Sequence, residues 1–218
     1  MAAISRQKAV TFCQNVLKMK EKTIGKIKPS VFCNEYAEKF TKRVPFTSVF
    51  DNYVLRSKGH NWNSLKNDPS LLKAPGASWF NGMLEGKFGS SCQVAATFSK
   101  LILESLGLKS RIIISRVHLF PVTIIHSLVI TEDEEGDLSI IDLGNRLTPL
   151  PLSIPLKMAV NEKSEVFEAG DTYTYMIRTG EHSYERWIGY ELNSDGSIKD
   201  AVLFNDFTLD DTYDFYDS

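Results

Sequence analysis

Along this chain of 218 residues the spacing of apolar side chains changes once, near Leu108, and that change restricts the fold more than any other feature. Before it, apolar residues recur at intervals of three and four, as in Val10, Cys13, Val16 and Leu17 and again in Phe32, Tyr36, Ala37 and Phe40. That interval puts side chains on one face of a helix. After it come short runs rich in β-branched and aromatic residues: Arg111 to Val117, Ile124 to Thr131, Leu138 to Leu143, Thr172 to Ile177 and Trp187 to Leu192. Helices followed by strands, rather than alternating with them, predict an α+β protein in which a helical bundle precedes an antiparallel β-barrel or sheet. The expected division is 1–110 as a helical domain and 111–218 as a barrel-like domain with a short C-terminal extension. Val44-Pro45-Phe46 and the stretch from Gly59 to Gly76 read as breaks, and Glu132 to Asp137 as a solvated hairpin loop.

Charge excludes some functions. A net charge of -2 provides no field to draw in nucleic acid or an anionic membrane, so neither partner is expected. The lysines between Lys18 and Lys28 are interrupted by Glu21 and read as the wet face of a helix. The acidic stretch from Asp206 to Asp217 is interleaved with Phe207, Tyr213, Phe215 and Tyr216, and is expected to pack rather than trail in solvent. No secretory apolar run or bilayer-length segment is present. Cys13, Cys33 and Cys92 are odd in number and widely spaced, which suits neither a disulfide framework nor a zinc site and implies a reducing, cytoplasmic setting. No metal or redox cofactor is expected.

One cysteine stands apart. Cys13 and Cys33 lie in the apolar stripes of predicted helices, where a free cysteine acts as a small hydrophobe. Cys92 instead opens a predicted helix that runs through Gln93 to Leu106, with Ser91 before it and Gly107 after it. The free N–H groups and positive dipole of a helix N-terminus favour a thiolate, the nucleophilic form. Such a nucleophile needs a base, and the base needs a group to orient it. Of the four histidines, His60 and His182 fall in loop-like sequence and His118 adjoins the break at Pro121, while His126 lies inside the apolar run Ile124 to Ile130. An imidazole in a strand interior requires a polar partner. Asp142 closes the next run, and a hairpin centred on Glu134 would set His126 and Asp142 directly opposite each other, suited to a bond from Nδ1–H to the carboxylate. A slip of one residue would separate them.

The order and surroundings of these three residues resemble the arylamine N-acetyltransferases over most of the chain. The resemblance is carried by Phe88-Gly89-Ser90-Ser91-Cys92, Leu103-Glu104-Ser105-Leu106-Gly107-Leu108, Arg116-Val117, His126 and Asp142-Leu143-Gly144, with weaker matches at Pro45-Phe46 and at Leu147 to Leu152. This sequence departs from the family pattern at Phe88, where the family has arginine, at Ser90 for the second glycine, at Gln93-Val94 for Phe-Glu, and at Arg146 for the last glycine of Asp-x-Gly-x-Gly.

The resemblance implies a cysteine-proteinase-like core with a shortened C-terminal lid and a Cys92-His126-Asp142 triad. It further implies ping-pong transfer of an acyl group from acetyl-CoA, or another acyl-CoA, to a small-molecule arylamine, hydrazine or other amine. Backbone N–H groups around Ser91 and Gln93 are the candidate oxyanion donors, with Gly89 permitting a tight approach. The same three groups would serve a transglutaminase-like hydrolase or deamidase, and a catalytically inactive binding protein of the same fold is a further alternative. Oligomeric state is not legible.

Overall fold

The computed structural model describes residues 4–20, 24, 29–47, 56, 59, 77–118, 124–133, 135–143, 153–169 and 171–212. The helices with defined bounds are α1 (Arg6–Asn15), α2 (Pro29–Arg43), α3 (Ala77–Leu84) and α4 (Cys92–Ser105). The strands are β1 (Lys109–Val117), β2 (Ile124–Glu132), β3 (Leu138–Ile141), β4 (Ser153–Pro155), β5 (Phe167–Ala169), β6 (Thr172–Arg178), β7 (Ser183–Gly189) and β8 (Val202–Thr212). The α+β expectation holds, with helices first and one antiparallel sheet after them, in the order β4-β3-β2-β1-β8-β7-β6-β5. No helix among the described residues is long and apolar enough to cross a membrane.

The helical stripes read from the sequence are the buried faces. Phe12, Cys13, Phe32, Cys33, Tyr36 and Phe40 pack against Phe98, Ile102 and Leu103 of α4, and Ile112, Val129 and Ile141 close this core from the sheet. Aromatic edges and faces lock it, Phe12 meeting Phe98 edge-on with centroids 5.0 Å apart. α4 ends at Gly107, whose φ of 93° supplies the left-handed turn that a β-carbon disfavours.

Successive strand side chains alternate between faces. One face of the sheet therefore meets the helices, and the other encloses a second core of Ile113, Leu128, Ile130, Ile140, Met176, Tyr184, Phe207 and Leu209. Further along the same face Val117, Ile188 and Phe204 form a small third cluster. Between these two apolar clusters lie buried polar residues, His126, Ser115, Asn205, Arg186 and Thr174, contributed by β2, β1, β8, β7 and β6. The sheet holds its polar chemistry in a layer with hydrocarbon on both sides.

Several boundaries depart from the sequence reading. The stretch placed over Trp187 to Leu192 is β7 at Ser183–Gly189, because the alternation of buried Tyr184, Arg186 and Ile188 begins earlier. The first part of the acidic segment, up to Thr212, packs as the end of β8, a strand between β1 and β7 near the middle of the sheet, while Tyr213, Phe215 and Tyr216 lie outside the described residues. Asn205, Phe207 and Leu209 point inward there, while Asp210 and Asp211 are exposed. The β7–β8 register slips between Arg186 and Trp187, so Arg186 pairs with Asn205 and Trp187 with Leu203. This bulge leaves Phe204 without a partner on β7 and turns both Phe204 and Asn205 inward. Lys18 to Lys20 lie outside any helix, with Lys18 at a φ of 58°, and the rest of that lysine run falls almost wholly outside the described residues, as does His60.

Candidate active site

The segment leading to Cys92 is held by a distant piece of chain. Ser90 N–H donates to Pro45 O at 2.9 Å and Thr47 N–H donates to Ser90 O at 2.8 Å, a short parallel bridge between the early Pro-Phe pair and the loop before the nucleophile helix. Gly89 sits against it so closely that a β-carbon there would lie 2.2 Å from Pro45 O. The tight approach expected of Gly89 is thus real, and its partner is the Pro45 backbone. Ser90, which stands where the family pattern has glycine, contributes main-chain bonds that any residue could make. A Gly89→Ala substitution should push this loop off Pro45, at a cost of about 1–3 kcal/mol by overpacking, and cut alkylation of Cys92. Urea denaturation alongside labelling checks this; unchanged values in both would contradict it.

Cys92 is the first residue of α4, and Ser91 occupies the N-cap with extended backbone (φ -80°, ψ 175°). The Ser91 hydroxyl makes no capping bond and is buried without a hydrogen-bond partner among the described residues. The first-turn N–H groups of a helix have no acceptor within it, so those of Cys92 and Gln93 remain available to a bound anion. Cys92 is half-buried. Cys13 and Cys33 are fully buried, and burial pushes their thiols up to about 12 and about 11. Iodoacetamide at neutral pH should therefore modify one thiol in the native protein and three in denaturant, which peptide mapping can verify. A native Cys13 or Cys33 adduct would count against the packing described.

His126 and Asp142 do meet, but by a different register from the symmetric hairpin. The β2–β3 ladder pairs Val129 with Ile141 and Glu132 with Leu138, which carries Asp142 opposite Leu128 and two residues from the position facing His126. The offset is even, so both side chains stay on one face and approach diagonally. The turn explains it: Asp133 N–H donates to Asp137 O, Asp133 Oδ1 accepts from the N–H groups of Glu135 and Asp137, and Gly136 takes a φ of 82°. The carboxylates of Asp133, Glu135 and Asp137 gather at this turn, where that of Asp133 closes the turn and that of Asp137 pairs with Lys157.

The imidazole orientation is also the reverse of that expected. Nε2, rather than Nδ1, lies 2.8 Å from Asp142 Oδ1. The Cys92 side chain lies close enough to the ring to act on its ionisation. Burial drives the His126 pKa down, but the Asp142 carboxylate and then Cys92 overcome it and hold the ring well above the usual histidine range. Burial likewise opposes ionisation of Asp142, and His126 and Arg186 outweigh it, holding the carboxyl below its ordinary value. The structure thus brings together all three residues picked from the sequence.

The residue the sequence reading missed is Arg186. It is 1% exposed, its Nη1 donates to Asp142 Oδ2 at 2.9 Å, and its Nε donates to Thr174 Oγ1 at 3.2 Å. The guanidinium carbon lies 4.7 Å from the centre of the Phe204 ring. A signal existed: arginine at the inward position of an alternating strand, between Tyr184 and Ile188, is a charge that must find a partner. The other two described histidines are peripheral, His118 bonding Asp206 and His182 bonding Asp210 at exposed positions. Two surface depressions, one bordered by Arg116, Glu185 and Asp206 and the other by Arg111, Arg178 and His182, share no lining residue with this site.

The site thus lies where a curled antiparallel sheet meets a helix that begins with a cysteine, the imidazole and carboxylate coming from the sheet side. The chain has the fold of the arylamine N-acetyltransferases. It superposes on the enzyme from Mycobacterium abscessus with a TM-score of 0.66 at 12% identity, over 98% of this chain and 69% of that one. The Nocardia farcinica enzyme gives 0.64 at 16% identity, over 97% and 68%. That from Bacillus cereus, which has a Cys-His-Glu catalytic triad, gives 0.64 at 13% identity, over 95% and 71%. The chain spans about two thirds of the length of these proteins. No protein-family model and no curated protein sequence matches.

Proposed function

We propose that this chain is a cysteine acyltransferase that moves an acetyl or other acyl group from coenzyme A to an arylamine, hydrazine or other small amine. The observation that carries the reading is the buried His126–Asp142 pair, 2.8 Å apart, with the half-buried Cys92 at the first turn of α4 close enough to act on the ring's ionisation. His126 takes the Cys92 proton and the sulfur attacks the thioester carbonyl. The tetrahedral oxyanion is received by the N–H groups of the first turn of α4, and collapse expels the coenzyme A thiolate, which recovers the proton from His126. In the second half the amine attacks the cysteine thioester, His126 accepts the amine proton, and the Cys92 thiolate leaves. Asp142 holds the ring in one tautomer throughout. Three unpaired thiols are in keeping with a reducing, cytoplasmic setting.

Intact-mass analysis after incubation with acetyl-CoA tests the reading on wild type, Cys92→Ala and His126→Ala. An acetyl adduct on Cys92 that requires His126 and discharges to an arylamine or hydrazine is the expected result. A thiol that alkylates readily but takes no acyl group from coenzyme A would replace the proposal with a transglutaminase-like hydrolase or deamidase. A Cys92 inert to both reagents would leave a binding protein of the same fold.

A further inference from the structure

We propose that Arg186 is a fourth member of the Cys92-His126-Asp142 array, a positioning residue that fixes Asp142 and completes the charge balance of the thiolate–imidazolium pair. The inference rests on the reading of Cys92 as a nucleophile. Asp142 divides its oxygens, Oδ1 at 2.8 Å from His126 Nε2 and Oδ2 at 2.9 Å from Arg186 Nη1. A carboxylate held at both ends cannot swing its second oxygen towards the imidazole, so the ring meets one acceptor in one direction. Arg186 is itself held on a second side through Nε and Thr174 Oγ1, and its planar face lies on Phe204, which the β8 bulge turns inward. The guanidinium fork is therefore oriented before any substrate arrives.

Charge gives the second argument. With the proton on His126, the array reads thiolate, imidazolium, carboxylate, guanidinium, alternating in sign and summing to zero. Without Arg186 the same ion pair would, among the described residues, carry one negative charge in excess inside the sheet, where opposite charges are needed to offset desolvation. The other inward neighbours, Thr174, Asn205 and Ser115, are uncharged: Asn205 Nδ2 donates to Ser115 Oγ, and Ser115 donates to His126 O. Among the described residues Arg186 is the cation in contact with Asp142 besides His126. A buried Arg–Asp pair adds little stability over packed hydrocarbon, so its presence inside the sheet calls for a use.

The test is the pH profile of Cys92 alkylation by iodoacetamide in wild type, Arg186→Met, Arg186→Lys and Thr174→Val, with urea midpoints measured on the same proteins. Removing the cation disfavours every nearby anion, so Arg186→Met should move the half-plateau pH up by about one unit or more. Arg186→Lys should keep the profile near wild type and lower the plateau several-fold, because charge remains and the fork is lost. Thr174→Val, which removes one acceptor from the fork and no charge, should lower the plateau in the same way and keeps the proposal exposed if Arg186→Met does not fold. A merely structural arginine would change urea midpoints and leave every profile unmoved, and that outcome overturns the role. A wild-type Cys92 no more reactive than a free thiol would instead overturn the nucleophile and this role together.

Discussion

His126→Ala should slow alkylation of Cys92 at neutral pH by about 10²-fold or more, the scale of removing a positioned proton acceptor. The substituted protein should still fold, since Asp142 keeps its bond to Arg186 and the cavity opens beside the half-buried thiol rather than deep in the sheet core. The comparison is clean because the other two thiols are buried and silent. An alkylation rate equal to wild type in a folded His126→Ala protein would remove the histidine from the chemistry, whatever its distance to Asp142. Asp142→Asn should cost less in reactivity at first sight, yet an amide can present its NH₂ to the ring and stabilise the wrong tautomer, so a loss comparable to His126→Ala is expected.

The largest effect on stability should come from Asp142→Ala. That substitution strands the buried Arg186 guanidinium and leaves His126 without its carboxylate, and breaking a buried pair by removing one partner costs about 3–5 kcal/mol. Removing both charges should cost less than removing one: Asp142→Ala with Arg186→Met should recover part of the loss, a coupling that urea midpoints in a double-mutant cycle would measure. Simple addition of the two single effects would count against the pair as described. The pH dependence follows the same groups. Asp142 has a depressed folded pKa, so its contribution is complete above about pH 4 and is lost as pH falls through the folded value. His126 has a raised one, so its contribution is complete below about pH 6.5 and is lost as pH rises through the folded value. Both are present together between about pH 4 and 6.5, and Asp142→Ala should flatten the profile on both sides.

Local chemistry made much of this readable in advance. Cys92 stood out because a helix start is marked by its own residues, and His126 because a polar ring in an apolar strand violates the pattern around it. The helix faces were legible for the same reason, each stripe being a local periodicity. What escaped depends on contacts between remote segments. The hairpin register was set by Asp133, whose carboxylate closes the turn around Gly136, and no symmetric count could include that. β8 was obscured by its aspartates, two of which are simply exposed past Leu209. Arg186 was passed over because its partner lies after β3, four strands away in the sheet order. At about 4.8 Å per strand a flat sheet would separate the two by about 19 Å, so their 2.9 Å contact exists only because the sheet curls. Pro45 and Gly89 were each noticed, but their contact belongs to the tertiary structure alone.

The place of β8 between β1 and β7 bears on how the molecule comes to exist. During synthesis the thiol, the imidazole and the carboxylate leave the ribosome well before Val202–Thr212, and until that strand arrives β1 and β7 each present a bare edge with nothing to join them. Antiparallel pairing between residues about ninety positions apart, as in Val117 with Asn205, is the kind of long-range closure that slows folding. The nascent chain would therefore carry its reactive groups for some time without the arginine face that balances them, and become chemically complete only when its last described strand slides into the gap.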